Sequence, residues 1–208
     1  MPVYVVEEGE HISGIAEKFG FRDFRTVWND PHNAKLRAKR KNPHVLLPGD
    51  ELFIPEKEIR TENRPTAKLH AFQIPSGKLK LKVLIQNVDG DPIDDTTVSL
   101  LAGGEASRVK TQQGIVEKEI PRNAHDGKIE LEDDQIPMGI GDLDPVDSES
   151  GQLQRLMNLG YYRKPISPID QDEWRSGVEE FQCDHDLNPP TGVVDGQTQD
   201  KLEEAHGC

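Results

Sequence analysis

The stretch GQLQRLMNLGYY, residues 151–162, carries apolar side chains at the spacing of one helical face. The residues on that face are Leu153, Leu156, Met157 and Leu159. Because positions three and four residues apart line up along a helix, the pattern predicts an amphipathic helix packed on a core.

Two more helices are expected after it. In DQDEWRSGVEEFQCDHDL (170–187), Asp170 is followed three residues later by Glu173, a capping-box-like start. Apolar residues then recur at i, i+4 and i+7: Trp174, Val178 and Phe181. In PPTGVVDGQTQDKLEEA (189–205), Asp195 is the expected N-cap of the third helix.

The phrases LQRLMNLGYY, VEEFQCDHDL and TGVVDGQTQDKL resemble the three-helix peptidoglycan-binding domain attached to many wall hydrolases. The resemblance implies that a site for peptidoglycan lies near the end of the first helix and before the third. Carried over to this chain, the site residues are Tyr161, Tyr162, Gln182, Thr191 and Asp195. The stretch RKPISPIDQDE departs from the family's D-G-x-F/Y-G turn, and the alternative is that both tyrosines only complete the helix packing.

The other end of the chain shows a different order. A short β-like stretch (4–6) precedes a helical pattern that ends at Gly20, where a left-handed C′ residue is expected. Asp23 is a plausible N-cap for a second helix, and LLPGDELFIP (46–55) predicts a turn and a strand. The segment therefore predicts the order β-α-α-β.

The stretches YVVEEGEHISGIAEKFG and PGDELFIP resemble the LysM family. The resemblance implies binding of glycans that contain N-acetylglucosamine, in a shallow groove between two loops. By carry-over, the groove residues are Gly9, Glu10, His11, Ile12, Leu46 and Leu47. LysM-like domains also serve as structural or docking pieces in phage tails and injection machines, which is the alternative for this segment.

The middle of the chain has the period-two alternation of half-exposed strands, clearest in KLKLKVLIQN (78–87). Further strands are expected at 96–103, 114–120 and 127–133. The layout is similar to small Ig-like or regulatory-type β sandwiches, which implies a spacer or a protein-binding domain.

The predicted fold class is therefore multidomain α+β, with a βααβ LysM-like module, a small β sandwich and a three-helix peptidoglycan-binding-like module. Two stretches rich in charge, Pro, Gly or Asp are interpreted as linkers. The expected divisions are 1–57 LysM-like, 58–67 linker, 68–133 sandwich, 134–149 linker and 150–208 helical.

The net charge of −13 is concentrated at the C-terminus, where residues 138–208 hold 5 Lys and Arg against 15 Asp and Glu. That balance argues against nucleic acid as a partner, because phosphate neutralisation needs basic residues. The chain has no apolar run long enough for membrane insertion. Its start lacks a basic and an apolar region, so we expect no signal peptide.

No metal or cofactor is predicted. Cys183, His185, His206 and Cys208 form a mirrored C-x-H…H-x-C. However, a helix of about 11 residues would separate the two ends by roughly 15 Å. The Asp-rich turn at 89–95 fits no EF-hand spacing. The nucleophile motif G-x-S-x-G and the zinc-protease motif HExxH are absent from the sequence, so we expect no enzyme.

The sequence thus favours noncatalytic binding of wall peptidoglycan through the two terminal modules. One alternative is a structural, loading or accessory part of a contractile injection machine that grips a spike or cargo protein. Another is a targeting accessory for a separate wall hydrolase. The expected route is cytoplasmic synthesis, then nonclassical or machine-dependent export to the periplasm or cell wall.

Overall fold

The computed structural model of the chain describes residues 3–57, 63, 65–69, 78–88, 90–132 and 134–207. Most of the expected linker at 58–67 lies outside the described residues, as do Asp89 of the Asp-rich turn and Cys208. Within the described part, no helix is long and apolar enough to cross a membrane.

The N-terminal part is a two-stranded antiparallel sheet with helices between its strands. Its elements are β1 (Val3–Val5), α1 (Ile12–Lys18), α2 (Phe24–Trp28), a 3-10 turn (Pro31–Asn33), α3 (Ala34–Lys39) and β2 (Glu51–Phe53). The expected strand-helix-helix-strand order is present. Helix α3 is an additional element, and it lies in the basic stretch that follows α2.

Local side chains set the ends of these helices. His11 is the N-cap of α1, where its Nδ1 accepts a hydrogen bond from the Gly14 N–H. Asp23 caps α2 by accepting from the Arg25 N–H at 2.9 Å. After α1 the chain reverses at Gly20, whose φ of +74° suits glycine.

One buried amide connects the end of α2 to the sheet. The Asn33 side chain donates to the carbonyls of Val27 and Phe53, at 2.8 and 2.9 Å, and accepts from the Phe53 N–H at 2.8 Å. Because Asn33 is 2% exposed, these bonds satisfy polar groups that would otherwise be costly to bury.

The middle of the chain forms two antiparallel sheets around a shared core. The strands are β3 (Leu79–Leu84), β4 (Thr97–Ala102), β5 (Glu105–Lys110), β6 (Ile115–Ile120), β7 (Asp126–Leu131) and β8 (Asp134–Gly139). Strand β3 pairs with β6, and the second sheet has the order β5-β4-β7-β8. Both sheets contribute to one apolar cluster: Ile85, Val98, Leu100, Val116 and Ile129.

The stretch 134–149 is predicted to be a linker, but residues 134–139 form strand β8 in the structure. Strand β8 pairs with β7 there, with Ile136 opposite Ile129. The Asp, Gly and Pro content resembles that of a linker. A strand at the end of a sheet tolerates Pro137, because its missing N–H faces away from the ladder.

The C-terminal part is three helices: α4 (Glu149–Asn158), α5 (Gln171–Asp184) and α6 (Gly196–His206). Their core is Leu153, Leu156, Tyr162, Val178, Phe181 and Leu202. The N-caps predicted for α5 and α6 are confirmed. Asp170 accepts from the Glu173 N–H at 3.1 Å, and Asp195 accepts from the Thr198 N–H at 2.8 Å.

At Gly177, helix α5 lies close to the backbone of a neighbouring segment. A Cβ atom at this position would lie 2.2 Å from the carbonyl oxygen of Tyr161, in the chain that leaves α4. Only glycine allows this packing distance, since a Cβ there would overlap backbone that cannot move aside.

Replacing Gly177 with alanine should therefore separate α5 from Tyr161. Overpacking of this kind costs about 1–3 kcal/mol, so we expect hydrogen exchange of the α5 amides to accelerate roughly five- to hundredfold. The matched control is Gly196→Ala, since a Cβ at Gly196 meets no atom within 4 Å. Unchanged α5 exchange in Gly177→Ala would contradict this account of the packing.

Candidate functional site

The N-terminal residues expected to line a glycan groove are partly inside the protein. His11 and Ile12 are 2% and 0% exposed, and Leu46 is 3% exposed. Gly9, Glu10 and Leu47 are half-buried. The structure therefore presents three of these six residues at its surface, and only in part.

The loop that precedes α1 is covered by the segment after β8. A Cβ at Gly141 would lie 2.6 Å from His11 Cδ2, and a Cβ at Gly9 would lie 2.6 Å from a carboxylate oxygen of Asp142. Gly141 has a φ of +93°, and its missing side chain leaves room for the imidazole ring. The segment 141–142 thus lies directly on the loop.

Two arginines connect the N-terminal part to the rest of the chain. The buried Arg40 donates from Nε to Asp50 at 2.7 Å and from Nη1 to Asp147 at 3.1 Å. Arg122, in the turn after β6, donates to the backbone carbonyls of Phe21 and Arg22. A buried guanidinium needs paired acceptors, so Arg40 favours the closed arrangement in which both aspartates reach it.

A cleft of about 450 Å³ lies where α1 meets the turn between β6 and β7. It is lined by Glu10, His11, Gly14, Ile15, Glu17, Lys18, Asn123 and His125. The Glu10 carboxylate there accepts from the Tyr4 hydroxyl at 2.8 Å and from the Lys18 ammonium at 3.1 Å. Within the described residues, no cluster of three or more His, Cys, Asp or Glu is placed to hold a metal ion.

The two tyrosines of the helical module have different surroundings. Tyr162 is 2% exposed, and its hydroxyl accepts from the Asp170 N–H at 3.0 Å and donates to the Pro165 carbonyl. Tyr161 is half-buried, with its ring edge-on to Phe181 at 5.3 Å and its hydroxyl donating to Asp184 at 3.1 Å. Burial and then the Asp184 carboxylate raise the pKa of Tyr161 to about 12.

Gln182 organises the loop before α6. Its side-chain oxygen accepts from the N–H groups of Thr191 and Gly192, at 2.7 and 3.0 Å. Its amide nitrogen donates to the Val193 carbonyl and the Thr198 hydroxyl, both at 3.0 Å. The structure thus brings the predicted residues Gln182 and Thr191 together, while Asp195 is occupied as the cap of α6.

A smaller cleft of about 120 Å³ opens between the end of α4 and the outer face of α5. It is lined by Gly160, Tyr161, Arg163, Glu173, Ser176, Gly177 and Glu180. Among these, only Tyr161 is predicted from the sequence to be a site residue. The sequence signal that could have identified the others is the spacing of Glu173, Ser176 and Glu180, which places them on one face of α5.

Residues 152–202 match the family described as "Putative peptidoglycan binding domain". The match covers about a quarter of the chain, and it runs from the first turn of α4 into α6. The resemblance drawn from the C-terminal phrases is confirmed. Comparisons with curated proteins and with solved structures gave no match.

The buried His11 makes stability depend on pH. Burial and then the neighbouring His44 and His125 lower the pKa of His11 to about 4, from an ordinary value near 6.5. Between these pH values only the unfolded chain takes up the proton. Stability is therefore complete above about pH 6.5 and falls by up to about 3 kcal/mol as the pH drops to 4.

His11→Asn should remove most of this pH dependence, because Asn caps helices well but does not titrate. The measurement is urea unfolding of the N-terminal part from pH 7.5 to 4, followed by Trp28 fluorescence in a Trp174→Phe background. Equal pH dependence with and without the His11→Asn substitution would contradict the assignment. Burial also lowers the pKa of His44, so some dependence in the same direction remains in the variant.

Gln182→Leu should release the loop before α6 while keeping the side chain's bulk. Two backbone donors then lose their acceptor, at about 1–3 kcal/mol for a buried unpaired group. We expect amide exchange at Thr191 and Gly192 to accelerate by about tenfold or more. The control is Gln197→Leu at an exposed position of α6, and equal exchange in both variants would rule out this role for Gln182.

Proposed function

We propose that the chain binds cell-wall peptidoglycan without catalysis, through its C-terminal helical module. The observation that carries the proposal is the family match, which spans the same three helices that pack around Leu156 and Phe181. The expected partner is the glycan–peptide mesh of the wall, and the cell wall is the expected place of action.

The carboxyl group of Glu10, in the larger cleft, is held in its ionised form by its neighbours. Burial alone would raise the pKa of Glu10, but hydrogen bonds from the Glu7 N–H, the Tyr4 hydroxyl and Lys18 lower it overall. A carboxyl group with a lowered pKa is a poor proton donor at neutral pH. Glu10 is therefore poorly suited to act as a general acid.

The finer form of the proposal adds the N-terminal LysM-like module as a second glycan site. Two weak sites on one chain raise avidity when both reach the same mesh. The support is the resemblance of YVVEEGEHISGIAEKFG and PGDELFIP, together with the half-exposed Gly9, Glu10 and Leu47.

The cover over the loop before α1 favours a second candidate function for this module. A loop packed under Gly141 and Asp142 suits a structural piece better than an open glycan groove. The second candidate is therefore a structural or accessory role among protein partners. Those partners are parts of an injection machine or a separate hydrolase.

Cosedimentation with purified peptidoglycan sacculi tests the main proposal. The wild-type chain should pellet, and Ser176→Leu, which fills the cleft on α5, should weaken binding at least about fivefold. Gln197→Leu adds the same side chain to an exposed position of α6 and should pellet like the wild type. Absence of wild-type pelleting would overturn wall binding and point to protein partners.

Leu47→Glu tests the contribution of the N-terminal module in the same assay. If that module binds glycan, the added carboxylate weakens pelleting in addition to the effect of Ser176→Leu. Equal pelleting with and without Leu47→Glu would instead support the structural role.

A further inference from the structure

The small cleft beside α5 carries both signs of charge within a narrow space. Gly177 and Tyr161 both line it, and a Cβ at Gly177 would overlap the Tyr161 carbonyl. Glu173 and Glu180 lie one helical turn to either side of that contact. They are seven residues apart, which corresponds to about 10 Å along the helix. Arg163 stands on the facing wall, in the chain that leaves α4.

The carboxylates of this cleft are available to a ligand. In a capping box, Glu173 would reach back to the N–H of the cap residue. Here the Tyr162 hydroxyl accepts from the Asp170 N–H instead, so Glu173 is not used in the cap. Within the described residues, neither Glu173 nor Glu180 takes part in an ion pair, whereas the adjacent Glu179 pairs with Arg175.

The guanidinium group of Arg163 is also available to a ligand. Arg163 donates from Nε to the Gly160 carbonyl at 3.2 Å, which orients the side chain along the cleft wall. Its Nη atoms have no ion-pair partner in the described part of the chain. A guanidinium held in this way can bind a carboxylate with two parallel hydrogen bonds.

In peptidoglycan, both signs of charge lie on the peptide stem and not on the glycan strand. Its N-acetylated sugars are neutral along the strand, because the lactyl carboxylate is joined to the peptide. The peptide stem carries free carboxylates and, on its diamino acid, a free ammonium group. Paired opposite charges in the cleft therefore match the stem rather than the sugar.

Tyr161 is the aromatic residue of the lining, and its polar group already has a partner in the protein. Its ring is perpendicular to that of Phe181, with the ring centroids 5.3 Å apart. Its hydroxyl donates to Asp184 at 3.1 Å. The charged groups of the cleft, and not the Tyr161 hydroxyl, are therefore the ones left for a ligand.

We propose that this cleft binds the charged peptide stem of peptidoglycan, with Arg163 holding a stem carboxylate and Glu173 and Glu180 holding its ammonium group. The inference rests on the proposed function and names the part of the polymer that is recognised. Ser176, between the two glutamates, supplies a hydroxyl to the peptide backbone of the stem.

The test compares binding to intact sacculi with binding to stripped sacculi, meaning the glycan strands, immobilised on beads, that remain once an amidase has removed the stems and with them the crosslinks. We expect the wild-type chain to bind intact sacculi about tenfold or more tightly. Arg163→Gln should lose about tenfold on intact sacculi and nothing further on stripped ones. Lys164→Gln removes the same charge from the neighbouring exposed residue, which does not line the cleft, and should bind like the wild type.

A second matched pair tests the acidic wall. Glu180→Gln should weaken binding to intact sacculi, whereas Glu179→Gln, one residue away and outside the cleft, should not. Equal wild-type binding to intact and stripped sacculi would overturn stem recognition and leave wall binding standing. Binding to neither would overturn both, and an equal loss for Arg163→Gln on both materials would assign Arg163 to the glycan.

Discussion

The close approach of α5 to the carbonyl of Tyr161 is the contact on which both the helical module and its cleft depend. Gly177 allows that approach, and the core residues Val178 and Phe181 follow it directly into the three-helix interior. Glu173 and Glu180 lie on the same face of α5 as Gly177, one helical turn to either side of the contact, and line the cleft with it. One glycine therefore sets the packing of the helices and the position of the charged groups that a ligand would meet.

Much of this module follows from its sequence, because helix signals are local. Apolar spacing and the caps Asp170 and Asp195 predict the helices, and the structure places both caps where expected. The cleft does not follow in the same way. Glu173 and Glu180 look like an ordinary solvated helix face until the chain that carries Arg163 is placed against them. Strand β8 is not predicted from the sequence for a related reason, because contacts with other strands decide whether an edge strand forms.

The N-terminal part illustrates how tertiary contacts change the meaning of a motif. His11 lies in the stretch that resembles a glycan-binding loop, yet its ring is a helix cap packed under Gly141. Arg40 extends the same junction, since its charge is paired with one aspartate from its own module and with Asp147 near α4. Losing Asp147 would leave the buried Arg40 with fewer paired acceptors, which favours the closed junction. Wall binding is therefore assigned first to the helical module.

Amide chemical-shift mapping with a soluble disaccharide-peptide fragment of peptidoglycan tests that assignment most directly. The isotope-labelled full chain would be titrated with the fragment and its resonances followed by residue. We expect shifts concentrated at residues 160–163 and 173–180, around the cleft beside α5. Shifts confined to residues 9–18 and 45–48, with the helical module unchanged, would contradict the assignment.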